Sequence, residues 1–311
     1  MSHVLASEVA SLLNGKLSGD DRKLYSISLL NNASSSSLVV LYNNQINTDL
    51  VTLDFGAVIL PPRFMLPIGK TYILTAESIQ DSWYKVVDLF IQKGLYHKRA
   101  LHTPSKKMPD KIGTCCSIGT GTVFGENVSL GNNCIIGCNS VIGDDVTIGN
   151  NTVIESGAVI GNESFQFCRN EGKLYKVPNI GTVIIGDNVE IGANTTIDRG
   201  TIGNTVIGSG TKIGNLVQIG HETVIGENCM IVAQTGISGW VTLGNNVTVY
   251  GQVGINNSVS IGDNSVLFGK SGITKNVSAN SSVWGIPAEN SKTYMKKQVL
   301  LKKMSIRRNS K

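Results

Sequence analysis

The sequence predicts a mainly β protein, a parallel β-helix built from six-residue repeats with a small α/β domain before it and a helix after it. Three observations carry that prediction. From Ile112 to Ile273 an aliphatic or aromatic side chain recurs every six residues, from Ile112, Ile118, Phe124 and Leu130 to Ile160, at Ile185, Ile191 and Ile197, and without a skip from Ile207 to Ile273, 24 hexads in all. Glycine follows the large residue in 16 of them. The fourth residue beyond it is Ser, Thr, Ala, Val or Cys wherever register holds, as at Cys116, Thr122, Ser140, Thr195, Val217, Thr235 and Ser271. A large slot and a small slot at fixed offsets describe the inside corners of a coil. Each hexad supplies a short strand and a turn, and three hexads close a triangular coil. Eight such coils, spaced like neighbouring strands, make a prism about 38 Å long. The glycine or asparagine after the aliphatic residue is expected to relax the turn backbone.

Residues 1–100 lack the period and read as an α/β domain. Leu5, Val9, Leu12 and Leu13 mark a short amphipathic helix ending at Asn14-Gly15, and the apolar, β-branched runs Leu38 to Tyr42 and Phe55 to Leu60 suit strands. Ser78 to Lys93 reads as a second helix with Ser78 as its cap. The stretch from Arg99 to Asp110, with Pro104 and Pro109, connects to a β-helix domain over 101–289.

Two interruptions break the repeat. The first, a loop insertion over 161–184, carries Phe165, Phe167, Arg169, Lys173, Tyr175 and Lys176; the second separates Ile197 from Ile207 by ten residues. Insertions of this kind project from one edge of a solenoid, either over a site or onto a neighbouring domain. The tail, 290–311, holds eight Lys or Arg and no acid, while 19 basic against 22 acidic residues leave the rest of the chain at −3. A helix from Ser291 to Met304, capped by Ser291, would present Lys296, Lys297, Lys302 and Lys303 to an acidic partner. No groove-reading motif accompanies the charge, so nucleic acid is not the expected partner. A plain solubilising terminus is the alternative.

Composition agrees with an ordinary soluble protein: 311 residues, 41% hydrophobic, 16% charged and 35 glycines. Met1 to Leu13 shows neither a signal peptide nor an apolar span, so a cytoplasmic location is expected and a membrane is not required. The six cysteines form no CxxC, and Cys116, Cys134 and Cys229 occupy the small inward slot, as buried hydrophobes in a reducing compartment would. The four histidines are His3, His97, His102 and His221. With one of them inside the repeat, the three-histidine site by which some hexapeptide proteins hydrate carbon dioxide is not available, and no metal is expected.

His221 follows the inward Ile219 by two residues, an offset that turns it outward from the prism wall. One coil further on, the equivalent residue is Gly239, so the wall beside the imidazole is bare and its backbone is accessible. An imidazole with an ordinary pKa of about 6.5 can take a proton from an attacking amine. The exposed Gly239 N–H can bind the oxyanion formed on an attacked thioester. Acyl transfer from a thioester needs those two roles.

Four segments carry a resemblance: Gly186-Asp-Asn-Val-Glu-Ile-Gly-Ala-Asn-Thr-Thr-Ile-Asp-Arg-Gly200, Lys176-Val-Pro-Asn-Ile-Gly181, Asn215-Leu-Val-Gln-Ile-Gly-His221 and Leu5-Ala-Ser-Glu-Val-Ala-Ser-Leu-Leu13. Together they resemble the UDP-3-O-(3-hydroxyacyl)glucosamine N-acyltransferases of lipid A synthesis, over nearly the whole chain. The resemblance implies a left-handed prism, against the usual hand of parallel crossovers. It implies cytoplasmic homotrimers with sites between neighbouring prisms, an N-terminal domain that binds uridine, and a C-terminal helix that helps receive acyl carrier protein. Carried over by position, His221 matches the general base and Gly239 the oxyanion amide, with Asn215 and Gln218 at neighbouring polar positions. Asn43 keeps its place in the uridine domain. The chain departs from the family at Gly214, where an aspartate is common, at Ser258, where a second histidine is common, and at Val40 and Ile46, where aromatic rings commonly sandwich uracil; Tyr42 is a substitute platform.

The implied reaction moves a 3-hydroxyacyl chain from acyl carrier protein to the 2-amine of UDP-3-O-acylglucosamine. The phosphopantetheine thioester serves as co-substrate, there is no bound cofactor, and Lys296, Lys297, Lys302 and Lys303 dock the carrier. Two alternatives stand beside it: a related nucleotide-sugar N-acyl- or N-acetyltransferase using acyl-coenzyme A, and a catalytically silent trimeric scaffold, which Gly214 and Ser258 keep open.

Overall fold

A computed structural model describes residues 2–41, 54–62, 69–76, 79–96 and 107–308. By packing the chain forms two units, one of residues 1–101, 165–180 and 201–203, the other of residues 102–164, 181–200 and 204–311.

The second unit contains the prism. Its three faces are parallel sheets in which each strand pairs with the one a coil away. The first face holds eight strands, from Val123–Phe124 through Thr196–Asp198, Gln218–Ile219, Gly236–Ile237 and Gly254–Ile255 to Gly272–Ile273. The second runs from Lys111–Ile112 to Ser260–Ile261, and the third from Ser117–Ile118 to Ser282–Trp284 with Glu289–Asn290 antiparallel at its edge. Register stacks like on like, Ile219 on Ile237 on Ile255 on Ile273, and this buried column is the core that the hexad period predicts. In the small slot most hydroxyls point inward without being stranded, Thr205 Oγ1 being buried without a partner. Thr122 Oγ1 donates to the Gly137 carbonyl at 2.6 Å, and Thr211 and Thr223 make the same bond at 2.9 Å to Gly226 and Ser238. The thiols of Cys134 and Cys229 follow suit at 3.1 Å; burial pushes both above the ordinary thiol range, and all six cysteines are free.

The glycine after the aliphatic residue has a different purpose from the one expected. Left-handed φ falls two positions later, on Asn127, Asn133, Asn139, Asn151 and Asn188 among others, where asparagine tolerates it best of the larger residues. The glycines themselves make room. A Cβ on Gly119 would lie 2.5 Å from the Cys138 nitrogen of the next coil, and one on Gly192 would lie 2.5 Å from that of Asn215.

The first unit is a five-stranded sheet in the order Lys16–Ser18, Tyr72–Leu74, Ala57–Leu60, Ser37–Val39, Ser26–Ser28, antiparallel at the first pair and parallel beyond it. Helices α1 (Ala6–Leu12) and α2 (Ile79–Gln92) bring Val9, Trp83, Val87 and Phe90 into a core with Leu38, Ile59 and Ile73; Val39, Val58 and Tyr72 form a second cluster. The first helix stops where expected, with Asn14 at φ 48°. Ser78, Tyr42, Asn43, Ile46, His97, His102 and Pro104 lie outside the described residues. Val40 is buried in the core, so it offers no ring-binding surface.

The insertion at 161–184 is not a plain loop. Phe167–Asn170 and Lys173–Lys176 form an antiparallel hairpin whose inner side joins the first unit: Cys168 and Val177 enter its core, and Tyr175 stacks on Tyr84 at 4.9 Å and 8°. Ile202, from the second interruption, enters the same core.

After the prism, helix α3 spans Ser291–Arg308, four residues beyond the expected end. Its cap is Asn290, whose Oδ1 accepts the Lys292 N–H at 3.1 Å; Ser291 is already helical. Along the last coils Tyr250, Phe268 and Trp284 stack at 5.8 and 5.2 Å, and Tyr294 of α3 continues the row at 5.5 Å. Among the described residues no helix is long and apolar enough to cross a membrane.

Candidate functional site

At many corners of the prism the residue two beyond the aliphatic is Asn, Asp or Ser, and its side chain caps the equivalent amide one coil earlier. Asn150 Oδ1 accepts from Asn132 N–H, Asn245 Oδ1 from Glu227 N–H and Asp144 Oδ1 from Glu126 N–H, each at 2.8 Å. After the later first-face strands, Thr196–Asp198 to Gly254–Ile255, the residues at this position are Arg199, His221, Gly239 and Asn257. Gly239 has no side chain to cap with. Its own N–H has no hydrogen-bond partner among the described residues, because Asn257 Oδ1 accepts the Ser258 hydroxyl at 2.6 Å instead.

The imidazole of His221 lies on this glycine. A Cβ at 239 would stand 2.5 Å from Nε2 and 2.7 Å from Cε1. Nδ1 is hydrogen-bonded to Glu222 Oε2, a contact that favours the tautomer with Nδ1–H toward the carboxylate and leaves Nε2 as the ring nitrogen facing away from it. Trp240 meets the ring edge-on, at 6.2 Å and 90°. Although it points out of the coil as expected, His221 is buried, 6% exposed, with Glu222 at 5%. The offset does turn the side chain out of the coil, but the bare glycine lets the ring lie down along the wall beside Gly239.

Glu222 is the residue that sequence reasoning missed. It sits at the left-handed position of its hexad with φ 52°, followed one and two coils on by Trp240 at 61° and Ser258 at 60°; on the second face the matching positions include Asn133, Asn151, Asn188, Asn228, Asn246 and Asn264. Strained backbone on residues other than glycine and asparagine gathers at functional corners. The second face has an asparagine row at this position and the first face does not, a difference visible in the sequence.

Gln218 stands on the strand that leads to His221. Its Oε1 accepts from the Thr196 hydroxyl and its Nε2 donates to the Ile219 carbonyl at 3.3 Å. Asn215 belongs to the preceding corner and caps Ala193 N–H at 2.9 Å, so it does not join His221. The family's aspartate has no room at Gly214, where a Cβ would lie 2.7 Å from the Ala233 nitrogen. Beyond Gln218 the outward column of the first face is Gly236, Gly254 and Gly272. The first two face open space, and a Cβ on Gly272 would meet Ile286 at 3.4 Å. A strip without side chains therefore runs from the His221 strand toward Ile286, and its signal is a Gly-Ile pair every 18 residues. Lys296, Lys297, Lys302 and Lys303 are exposed on α3, with Lys297 bound to Glu289 at 2.5 Å.

Residues 127–162 and 204–239 match the bacterial transferase hexapeptide family (six repeats). A UDP-3-O-acylglucosamine N-acyltransferase from Campylobacter lari is 35% identical over 253 residues, 75% of this chain and 77% of that protein. One from Nitratidesulfovibrio vulgaris is 51% identical over 142 residues, 46% and 41% of the two chains. With the enzyme of that name from Methylobacterium nodulans identity is 46% over 80 residues, and the chain spans only 23% of that relative's length. Among solved structures, a UDP-N-acetylglucosamine acyltransferase from Bacteroides fragilis 9343 superposes with a TM-score of 0.53 at 25% identity over 63% of this chain and 72% of the other. These likenesses identify the prism as a left-handed parallel β-helix.

Proposed function

The chain belongs to the UDP-3-O-acylglucosamine N-acyltransferase family, and from that premise we propose that it transfers a 3-hydroxyacyl chain from acyl carrier protein to the 2-amine of UDP-3-O-acylglucosamine, in lipid A synthesis. The observation that carries the reading is the buried His221–Glu222 pair lying on a glycine whose N–H is unclaimed. The amine attacks the thioester carbonyl carbon while Nε2 takes its proton. Negative charge gathers on the carbonyl oxygen, and the Gly239 N–H is the donor available to it. Collapse of the tetrahedral adduct expels the pantetheine thiolate, which recovers the proton from the imidazolium. Glu222 holds the ring in the tautomer that leaves Nε2 free and offsets the transient positive charge.

The acyl chain follows the bare strip of Gly236, Gly254 and Gly272, where the first two glycines leave open space. A neighbouring copy closes that strip, which makes the working form a homotrimer. Tyr42 and Asn43 serve the uridine, Gln218 the acceptor, and Lys296, Lys302 and Lys303 the acidic carrier. Asn215 is reassigned from substrate to the capping of Ala193.

Mass spectrometry of the product made with acyl-carrier and acyl-coenzyme A thioesters and UDP-3-O-acylglucosamine tests this reading. His221→Ala is expected to lower kcat by ~10²–10⁴, the usual contribution of a positioned base. Unlike an exposed histidine it also supports a buried carboxylate, so a fall in Tm accompanies the lost activity. Full turnover by His221→Ala with chemistry rate-limiting would move the base elsewhere, and silence with every donor would leave the scaffold.

A further inference from the structure

The outer side of the hairpin at 165–176 belongs to no site described so far. Its register sets Phe167 opposite Lys176 and Arg169 opposite Leu174, so these four side chains share one side; Cys168 and Tyr175, also opposite each other, occupy the side turned into the first unit. Phe165 is 87%, Leu174 61% and Phe167 39% exposed. The two phenyl rings meet at 5.0 Å and 65°, and Lys176 Nζ stands 5.2 Å from the Phe167 centroid. Arg169 Nη1 donates to the Gly172 carbonyl at 3.0 Å and braces the turn. Over 165–176 the charges are Arg169, Lys173 and Lys176 against Glu171 alone, a balance of +2.

Water-exposed phenyl and leucyl groups in a contiguous patch mark an interaction surface. We infer that this hairpin side docks on an anionic phospholipid surface, with Phe165 and Leu174 entering the headgroup boundary and Arg169 and Lys176 on the lipid phosphates. Charge complementarity selects that occupant. Cations beside an apolar tip match an anionic bilayer surface. The inference is independent of the acyl-transfer reading, since no residue in it touches His221 chemistry.

Co-sedimentation of the full chain with vesicles of phosphatidylethanolamine and phosphatidylglycerol, against pure phosphatidylcholine, is the test. The basic tail also attracts anionic lipid, so the comparison is made in the background Lys296→Glu, Lys297→Glu, Lys302→Glu, Lys303→Glu. The chain is expected with the anionic vesicles alone. Phe165→Ser with Leu174→Ser should lower the partition coefficient by about tenfold or more, and Arg169→Glu with Lys176→Glu by about fivefold per charge removed, with Tm unchanged because these side chains are exposed. Equal recovery with phosphatidylcholine, no recovery with either, or undiminished binding by the Phe165→Ser, Leu174→Ser protein would overturn the proposal. So would a drop in light-scattering mass in that protein, which would assign the patch to a second copy.

Discussion

A methyl group at residue 239 would place a carbon 2.5 Å from Nε2 of His221, and the far side of that ring is held by Glu222. The imidazole must tilt off the wall, and it carries the proton acceptor away from the Gly239 N–H. Gly239→Ala is therefore expected to lower kcat by about 10²-fold, the scale of a misplaced catalytic group, with a small change in Tm, because Gly239 does not adopt left-handed φ. Steady-state kinetics beside a thermal melt separates the two effects. A second residue-scale prediction concerns Glu8. The Leu5 N–H and then the Lys93 ammonium hold its carboxyl below the usual carboxylate range. A lowered folded pKa contributes stability that is present above the unfolded value and lost as pH falls through the folded one. Melts taken from about pH 6 down to about pH 3 should fall more steeply in wild type than in Glu8→Gln.

At the scale of an element, two kinds of glycine have opposite tolerances. Gly119 is pressed on the backbone of the next coil, with the Cys138 nitrogen 2.5 Å from where its Cβ would be, so Gly119→Ala must spread two coils and lower Tm. Gly254, on the outward side of the first face, meets nothing. Gly254→Val should keep or raise Tm, since a β-branched residue suits a strand, while shifting the product toward shorter acyl chains by obstructing the strip; unchanged chain preference in a donor panel would take the chain elsewhere. The hexad period made the inward stack, the small slot and the corners legible before any coordinates, because a solenoid repeats its environment every coil. What it hid departs from the repeat. The hairpin at 167–176 is positioned by partners far away in sequence, such as Tyr84. His221 is buried because residue 239 lacks a side chain, and its partner Glu222 sits at a position the period reserves for a turn.

At the scale of the molecule, the charge is divided: +8 in the last 22 residues beside −3 in the rest. Within that tail Lys297 is already paired with Glu289, and Trp284 and Tyr294 hold the root of α3 on the prism. Lys296, Lys302 and Lys303 are among the exposed cations of α3 that can steer an acidic carrier. Their replacement by Glu should raise KM for the acyl carrier protein, spare KM for the sugar nucleotide, and flatten the dependence of the carrier KM on salt, because screening has less attraction left to remove. Lys297→Glu alone should act differently. It sets a like charge beside Glu289 at the root of the helix, so Tm is the quantity expected to fall. The mass by light scattering, about three times 33.1 kDa for the proposed homotrimer, should be the same in all of these proteins. If the triple replacement raised both Michaelis constants together, or reduced the mass, the tail would be holding the assembly together and the carrier would have to be recognised by another surface.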